Sequence, residues 1–123
     1  MKANLTILFL LTLIFEMSSQ DKNLVSDSMY LQTQKIKQTN IEIASKQSII
    51  HFVMKNDDGT FGYSIFINGN MTYHQTNIPA VSGNKGFKNV DQADATAKLV
   101  IYKIKQGESP PTVSEEEIKA IID

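Results

Sequence analysis

Apolar and polar positions alternate most clearly in the middle of the chain, in three short runs. "IIHFVMK" (Ile49 to Lys55), "FGYSIFI" (Phe61 to Ile67) and "NMTYHQT" (Asn70 to Thr76) are rich in β-branched and aromatic residues. Asp58-Gly59 lies between the first two runs, and Asn68-Gly69 between the last two. Asn-Gly between alternating runs is a strong hairpin signal, because both turn residues must tolerate positive φ. The pattern predicts a three-stranded antiparallel meander. With both turns taken as two-residue loops, Phe52 faces Ile65, Met54 faces Tyr63, and Tyr63 faces His74. One face then carries Ile50, Phe52, Met54, Phe61, Tyr63, Ile65 and Ile67, the expected core face. The other carries His51, Val53, Ser64, Phe66, Met71 and Tyr73.

The period changes from two to near four after residue 88. Ala93, Ala97, Val100 and Ile104 recur at helical spacing. Asn89 and Gln92 fit a capping box at the start, and Gly107 is a natural stop. Pro110 and Pro111 enforce an extended segment. Ser114 and Glu117 make a second capping box, which predicts a short helix from Glu115 to Ile122. That helix is too short to stand alone and must dock through Ile118, Ile121 and Ile122, with Leu99 and Tyr102 as one expected dock. The fold class is α+β. A three- to four-stranded antiparallel meander is packed by one main helix, and a short C-terminal helix follows.

The amino-terminal third reads differently. Lys2, the apolar run "LTILFLLTLIF" and the small residues Ser18 and Ser19 have the layout of a secretory signal peptide, with cleavage expected near Ser19. The run is too short for a membrane span of about 20 residues. Residues 20–47 are polar and weakly patterned. They read as a tether, with one edge strand around Tyr30 to Ile36 and a short strand at Ile41 to Ala44. The expected organisation is a signal peptide over 1–19, the tether over 20–47, and a small α+β domain over 48–123.

Composition narrows the function classes. There is no cysteine among 123 residues, hence no disulfide and no thiol nucleophile. All 12 basic residues are lysine and the net charge is −1. A near-neutral chain without arginine lacks the fork-shaped donor most used on guanine and phosphate, so nucleic acid is not an expected partner. Nor is membrane insertion of the mature chain expected.

Candidate chemistry is sparse. His51 and His74 are the only histidines. On the trial register they leave opposite faces of the sheet, too few and too far apart for a zinc site. Asp57-Asp58 reads as a turn that caps its own backbone. "SGNKGF" (Ser82 to Phe87) lacks the spacing of a phosphate loop. No serine sits in a nucleophile elbow. No catalytic set, metal or cofactor is expected. If the 74–87 loop binds anything, His74, Gln75, Asn77, Asn84 and Lys85 are the candidates. Ile78, Pro79, Gly83, Gly86 and Phe87 read as structural loop residues: a lid over one end of the core, with Gly83 and Gly86 permitting the reversals.

Three stretches carry a resemblance. "GYSIFINGN", "HQTNIPAVSGNKGF" and "AKLVIYKIKQGESPPTV" are similar to the pattern of domain-of-unknown-function family 4907, small exported proteins of Bacteroidota. The shared features are a Gly-Tyr strand, His-Gln-x-x-Ile-Pro-Ala, a Gly-x-x-Gly-Phe turn and a Gly-x-x-Pro-Pro-Thr tail. The resemblance spans about residues 49 to 120. It implies export and a compact α+β domain, and no activity. The expected function is a non-catalytic, exported interaction or binding module with a protein partner. The alternative is a small enzyme or small-ligand protein using the 74–87 loop, with His74, Gln75 and Lys85 clustered in an open pocket.

Overall fold

The computed structural model describes residues 22–123, so the expected signal peptide lies outside the described residues. The chain divides into two units, Met1–Ile36 and Lys37–Asp123. In the first, the described residues belong to helix α1 (Lys2–Ser45), and their side chains from Lys22 to Ile36 are exposed to solvent. No helix among the described residues is long and apolar enough to cross a membrane.

The expected strands at Tyr30–Ile36 and Ile41–Ala44 are therefore not strands. The correction has a local cause. Residues 31–38 are mostly Leu, Gln, Lys and Ile, which lose little on entering a helix. A helix satisfies its backbone within the segment, whereas a strand here would have to find a partner. Thr33 Oγ1 donates to the Met29 carbonyl at 2.9 Å, and Gln38 Nε2 donates to Glu42 at 3.4 Å, both at helical spacing.

The second unit begins with the last turns of α1. Its sheet is a meander in the order β1 (Ile49–Lys55), β2 (Phe61–Ile67), β3 (Asn70–Gln75). Helix α2 (Val90–Lys105) covers one face, and α3 (Glu115–Ile122) follows. The expected α+β class, with its main helix and short terminal helix, is the fold of this unit. The core joins Tyr63, Ile65 and Phe87 to Ala93, Ala97, Val100 and Ile104, and takes in Ala44 from the end of α1.

Register is where the sheet departs from expectation. The β1–β2 turn holds three residues between its closing pair. Asn56 N–H donates to Thr60 O at 2.7 Å, and Gly59 stands at φ 86°. This is the three-residue hairpin whose last loop residue is left-handed. The extra residue shifts the pairing by one, so His51 faces Ile65 and Phe52 faces Ser64. A one-residue slip turns every side chain of a strand to the other face. Ile49, His51 and Val53 thus point towards α2. Ile50 and Phe52 point away and stay half exposed, with Phe52 edge-on to Phe66 at 5.6 Å.

The β2–β3 turn is the expected two-residue loop, with Asn68 at φ 50° and Gly69 at φ 82°. Past it, β3 bulges at Thr72. Tyr73 therefore faces Ile65, His74 faces Ser64, and Tyr63 faces Gln75. The expected Tyr63–His74 pair does not form, and Tyr73 joins the α2 face.

Helix caps follow the sequence closely. Asn89 Oδ1 accepts from Gln92 N–H at 2.9 Å, while the Gln92 side chain accepts from Lys88 N–H at 3.2 Å, one residue short of a full box. The Ser114–Glu117 box is complete. Gly107 ends α2 at φ 87°. Its N–H donates to Ile104 O at 3.0 Å, and that of Glu108 donates to Lys103 O at 3.1 Å. These are the two bonds of a Schellman motif. Helix α3 docks through fully buried Ile118, with Val113 and Ile122 against the core. Tyr102 is 60% exposed and does not serve as its dock. Lys103 Nζ ties the segment down instead, reaching Thr112 O at 2.6 Å and Glu117 at 2.7 Å.

Candidate functional site

The loop from Thr76 to Lys88 is anchored at both ends. Ile78 N–H donates to Lys85 O at 2.9 Å. Phe87 exchanges two backbone hydrogen bonds with Phe61, at 2.7 and 2.8 Å, and its ring is fully buried. The loop's last residues thus extend the sheet beside β2 as a single bridge. Gly83 holds the expected positive φ, 111°. Gly86 is required for a different reason from the one expected. It is not at positive φ; a Cβ there would lie 2.5 Å from Asn56 Nδ2 and 2.6 Å from the Phe61 carbonyl. Asp58 serves its turn, accepting from Thr60 N–H at 3.0 Å. Hydrogen bonds from Thr60 hold its carboxyl below the usual aspartate range.

The five candidate binding residues do not gather in one place. Ser64 Oγ and His74 Nδ1 are in hydrogen-bond contact at 2.9 Å on the face away from α2. Gln75 Nε2 donates to Asn77 O at 2.8 Å, and Asn77 Oδ1 accepts from Thr76 Oγ1 at 3.1 Å. Asn84 and Lys85 are exposed on the loop, and Lys85 lends a favourable charge to Asp58. His51 is on the opposite face, where its Nε2–H donates to Asp94 at 2.7 Å, and Lys98 completes the cluster at 2.8 Å from Asp94. The bond from His51 and then that from Lys98 lower the Asp94 carboxyl. The Ser–His and His–Asp halves of a catalytic relay are thus split by the sheet. Ser64 is only 5% exposed, and among the described residues His74 has no hydrogen bond to a carboxylate. Nucleophilic catalysis needs an open hydroxyl and an oriented base, and this pair supplies neither. Among the described residues no cluster of three or more metal-ligating side chains exists.

What the structure does bring together is a cleft along β3. The backbone bonds of Phe61 to Phe87 and of Asn68 to Ser48 fix the alternation of the ladder. Odd-numbered residues of β2 pair towards β3, so Asn70, Tyr73 and Gln75 bond inward. Met71 and His74 turn their N–H and C=O outward. Among the described residues that outer row has no backbone partner.

Two cavities border it on the α2 side, and both touch Thr72 and Tyr73. The first, about 240 Å³, lies between β3 at Tyr73–Gln75, Pro79 of the loop, and Pro111 and Val113, with Val100 and Tyr63 in its walls. The second, about 340 Å³, lies between β3 at Thr72–Tyr73, Ile43 and Gln47 near the end of α1, and Glu108 and Ser109. Each has β3 as one wall and the 108–113 segment as another. Burial pushes the Tyr63 phenol up to about 12, so it stays neutral and acts as a wall, not a base.

Of the expected site residues, His74, Gln75 and Pro79 border the first cavity; Asn77, Asn84 and Lys85 do not line it. Sequence reasoning missed Glu108, Ser109, Pro111 and Val113. Their signal was the Pro-Pro pair, which is kept out of helix interiors and central strands and so had to cross some surface. The stretches "HQTNIPA" and "GESPPT" thus end up on opposite walls of one cleft.

A small α+β unit with an open sheet edge facing a two-cavity cleft is the class that fold and site define. The chain belongs to the family described as a domain of unknown function, DUF4907, whose model matches residues 53–120. No curated protein and no solved structure matches the chain.

Proposed function

We propose that this protein is an exported, non-catalytic binding module and that the cleft along β3 is its binding surface. The observation that carries the reading is the outer row of β3, which has no backbone partner among the described residues, is walled by the 108–113 segment and is bordered by two cavities. An open edge is costly to leave exposed, because it pairs with whatever strand it meets. A cleft that limits access to such an edge makes the exposure selective. Export is supported by the layout of residues 1–19. The separation of the Ser64–His74 and His51–Asp94 pairs supports the non-catalytic half of the reading.

Site-specific photo-crosslinking in the native cell envelope tests it. A photoreactive side chain at Met71 or at Glu108 is expected to give the same discrete adduct. One at Glu116, exposed on α3, is expected to give none. Equal labelling from all three positions, or from Glu116 alone, removes the cleft as the binding surface.

A further inference from the structure

We propose that the cleft takes an extended peptide segment of a partner protein. The segment adds to β3 as a further strand and sets one apolar and one basic side chain, two residues apart, into the two cavities. This rests on the reading of the cleft as the binding surface and names what it binds.

Three observations converge. The outward N–H and C=O groups of Met71 and His74 are the hydrogen-bond set that an added strand uses. The bulge interrupts that row at Thr72, so pairing is confined to the residues flanking it and the segment needed is short. The cavities both lie on the α2 side and meet at Thr72–Tyr73. A strand laid along β3 presents every second side chain to that side, roughly 6.5–7 Å apart. Adjacent cavities sharing two strand positions suit that spacing.

The cavity walls set the side-chain classes. The 240 Å³ cavity is lined by Tyr63, Pro79, Val100, Pro111 and Val113 beside the strand, with no lysine, aspartate or glutamate. It suits an aliphatic side chain. The 340 Å³ cavity has Ile43, Ile67 and Ile104 in its walls and one charged residue, Glu108. Apolar walls with a carboxylate at the rim fit a lysine or arginine, whose stem packs while its head reaches the charge. The Asn40 amide in this cavity already donates to the Gly107 carbonyl at 3.1 Å, which leaves Glu108 to meet the cation.

The probes are blocked hexapeptides of threonine carrying one leucine and one lysine two residues apart, made in both orders to cover both strand directions. A second set has aspartate for lysine. A third has N-methylated amides through the centre. Each is titrated into the ¹⁵N-labelled full chain. One Leu/Lys order is expected to bind, with the amides of Met71 and His74 shifting. The aspartate set should bind about tenfold more weakly, the scale of one charge pair at an interface, and N-methylation should abolish binding. Glu108→Lys, an exposed change, should reverse the lysine-over-aspartate preference without moving the thermal midpoint. Equal binding of the lysine and aspartate sets, undiminished binding of the N-methylated set, or no binding by any peptide overturns the proposal. If no peptide binds while the Met71 and Glu108 adducts persist, the peptide class is wrong and the cleft stands. If both fail, both readings fall.

Discussion

Phe87→Ala is expected to lower the unfolding free energy by about 3–5 kcal/mol, the range for deleting a buried aromatic ring. The ring is fully buried and tilts against Tyr63 at a centroid distance of 6.3 Å. It packs in the same cluster as Ala93 and Ala97 of α2. The alanines let the helix come close, so Phe87 fills the space their small side chains leave. The backbone bridge to Phe61 holds the position rigid, which restricts collapse around the hole. Urea melts of variant and parent measure the difference. A variant that melts with the parent would show that the loop's end is not part of the core.

Gly107→Val is the second large effect, about 2–5 kcal/mol. Two costs add. At φ 87° a β-branched residue bears left-handed strain of roughly 1–2 kcal/mol. A Cβ would also lie 2.5 Å from the Lys37 carbonyl oxygen and 3.1 Å from Ile41 Cγ1. Relieving that overlap forces α1 away from α2, and forced overpacking typically costs about 1–3 kcal/mol. The same shift breaks the Asn40 bond to the Gly107 carbonyl. Denaturant melts of Gly107→Ala and Gly107→Val separate the parts. Alanine carries the φ strain and the Cβ contact, and valine adds the branch. Parent-like stability of the valine variant would mean that α1 does not rest on the end of α2.

Local signals were legible wherever one short stretch decides the outcome. Asn68-Gly69, the Asn89 cap, the Ser114–Glu117 box and the stop at Gly107 all act through a few neighbouring residues, and each lies where the sequence placed it. The β1 face was not legible, because it depends on whether "NDDGT" closes a two- or a three-residue loop. Both β1 faces are apolar enough to pass as core: Ile50, Phe52 and Met54 on one, Ile49 and Val53 on the other. One residue in the turn, expressed as Gly59 in the left-handed region, reversed the assignment. The bulge at Thr72 moved His74 from Tyr63 to Ser64 in the same way, and no residue type in "NMTYHQT" announces it. The end of α1 was hidden for another reason. Ala44 is 4% exposed, yet a single alanine in a polar segment carries no periodic signal.

The candidate site was half legible. His74, Gln75 and Pro79 were singled out from the loop that follows β3. Glu108, Pro111 and Val113, the opposite wall, were read only as a tail. Their meeting depends on where α2 delivers the chain, which is a property of helix length and packing. Of the loop residues expected to be structural, Phe87 is fully buried and Gly86 is closely approached by Asn56, Thr60 and Phe61.

Amide-resolved hydrogen exchange of the free protein tests the central claim, that β3 presents an open edge to the cleft. Tyr73 and Gln75, which bond inward to β2, should exchange slowly, as core sheet amides do. Met71 and His74 should exchange nearly as fast as unstructured amides, although they lie in the same strand. Strong protection of Met71 and His74 in the free monomer would mean that the edge is already covered and would contradict the account.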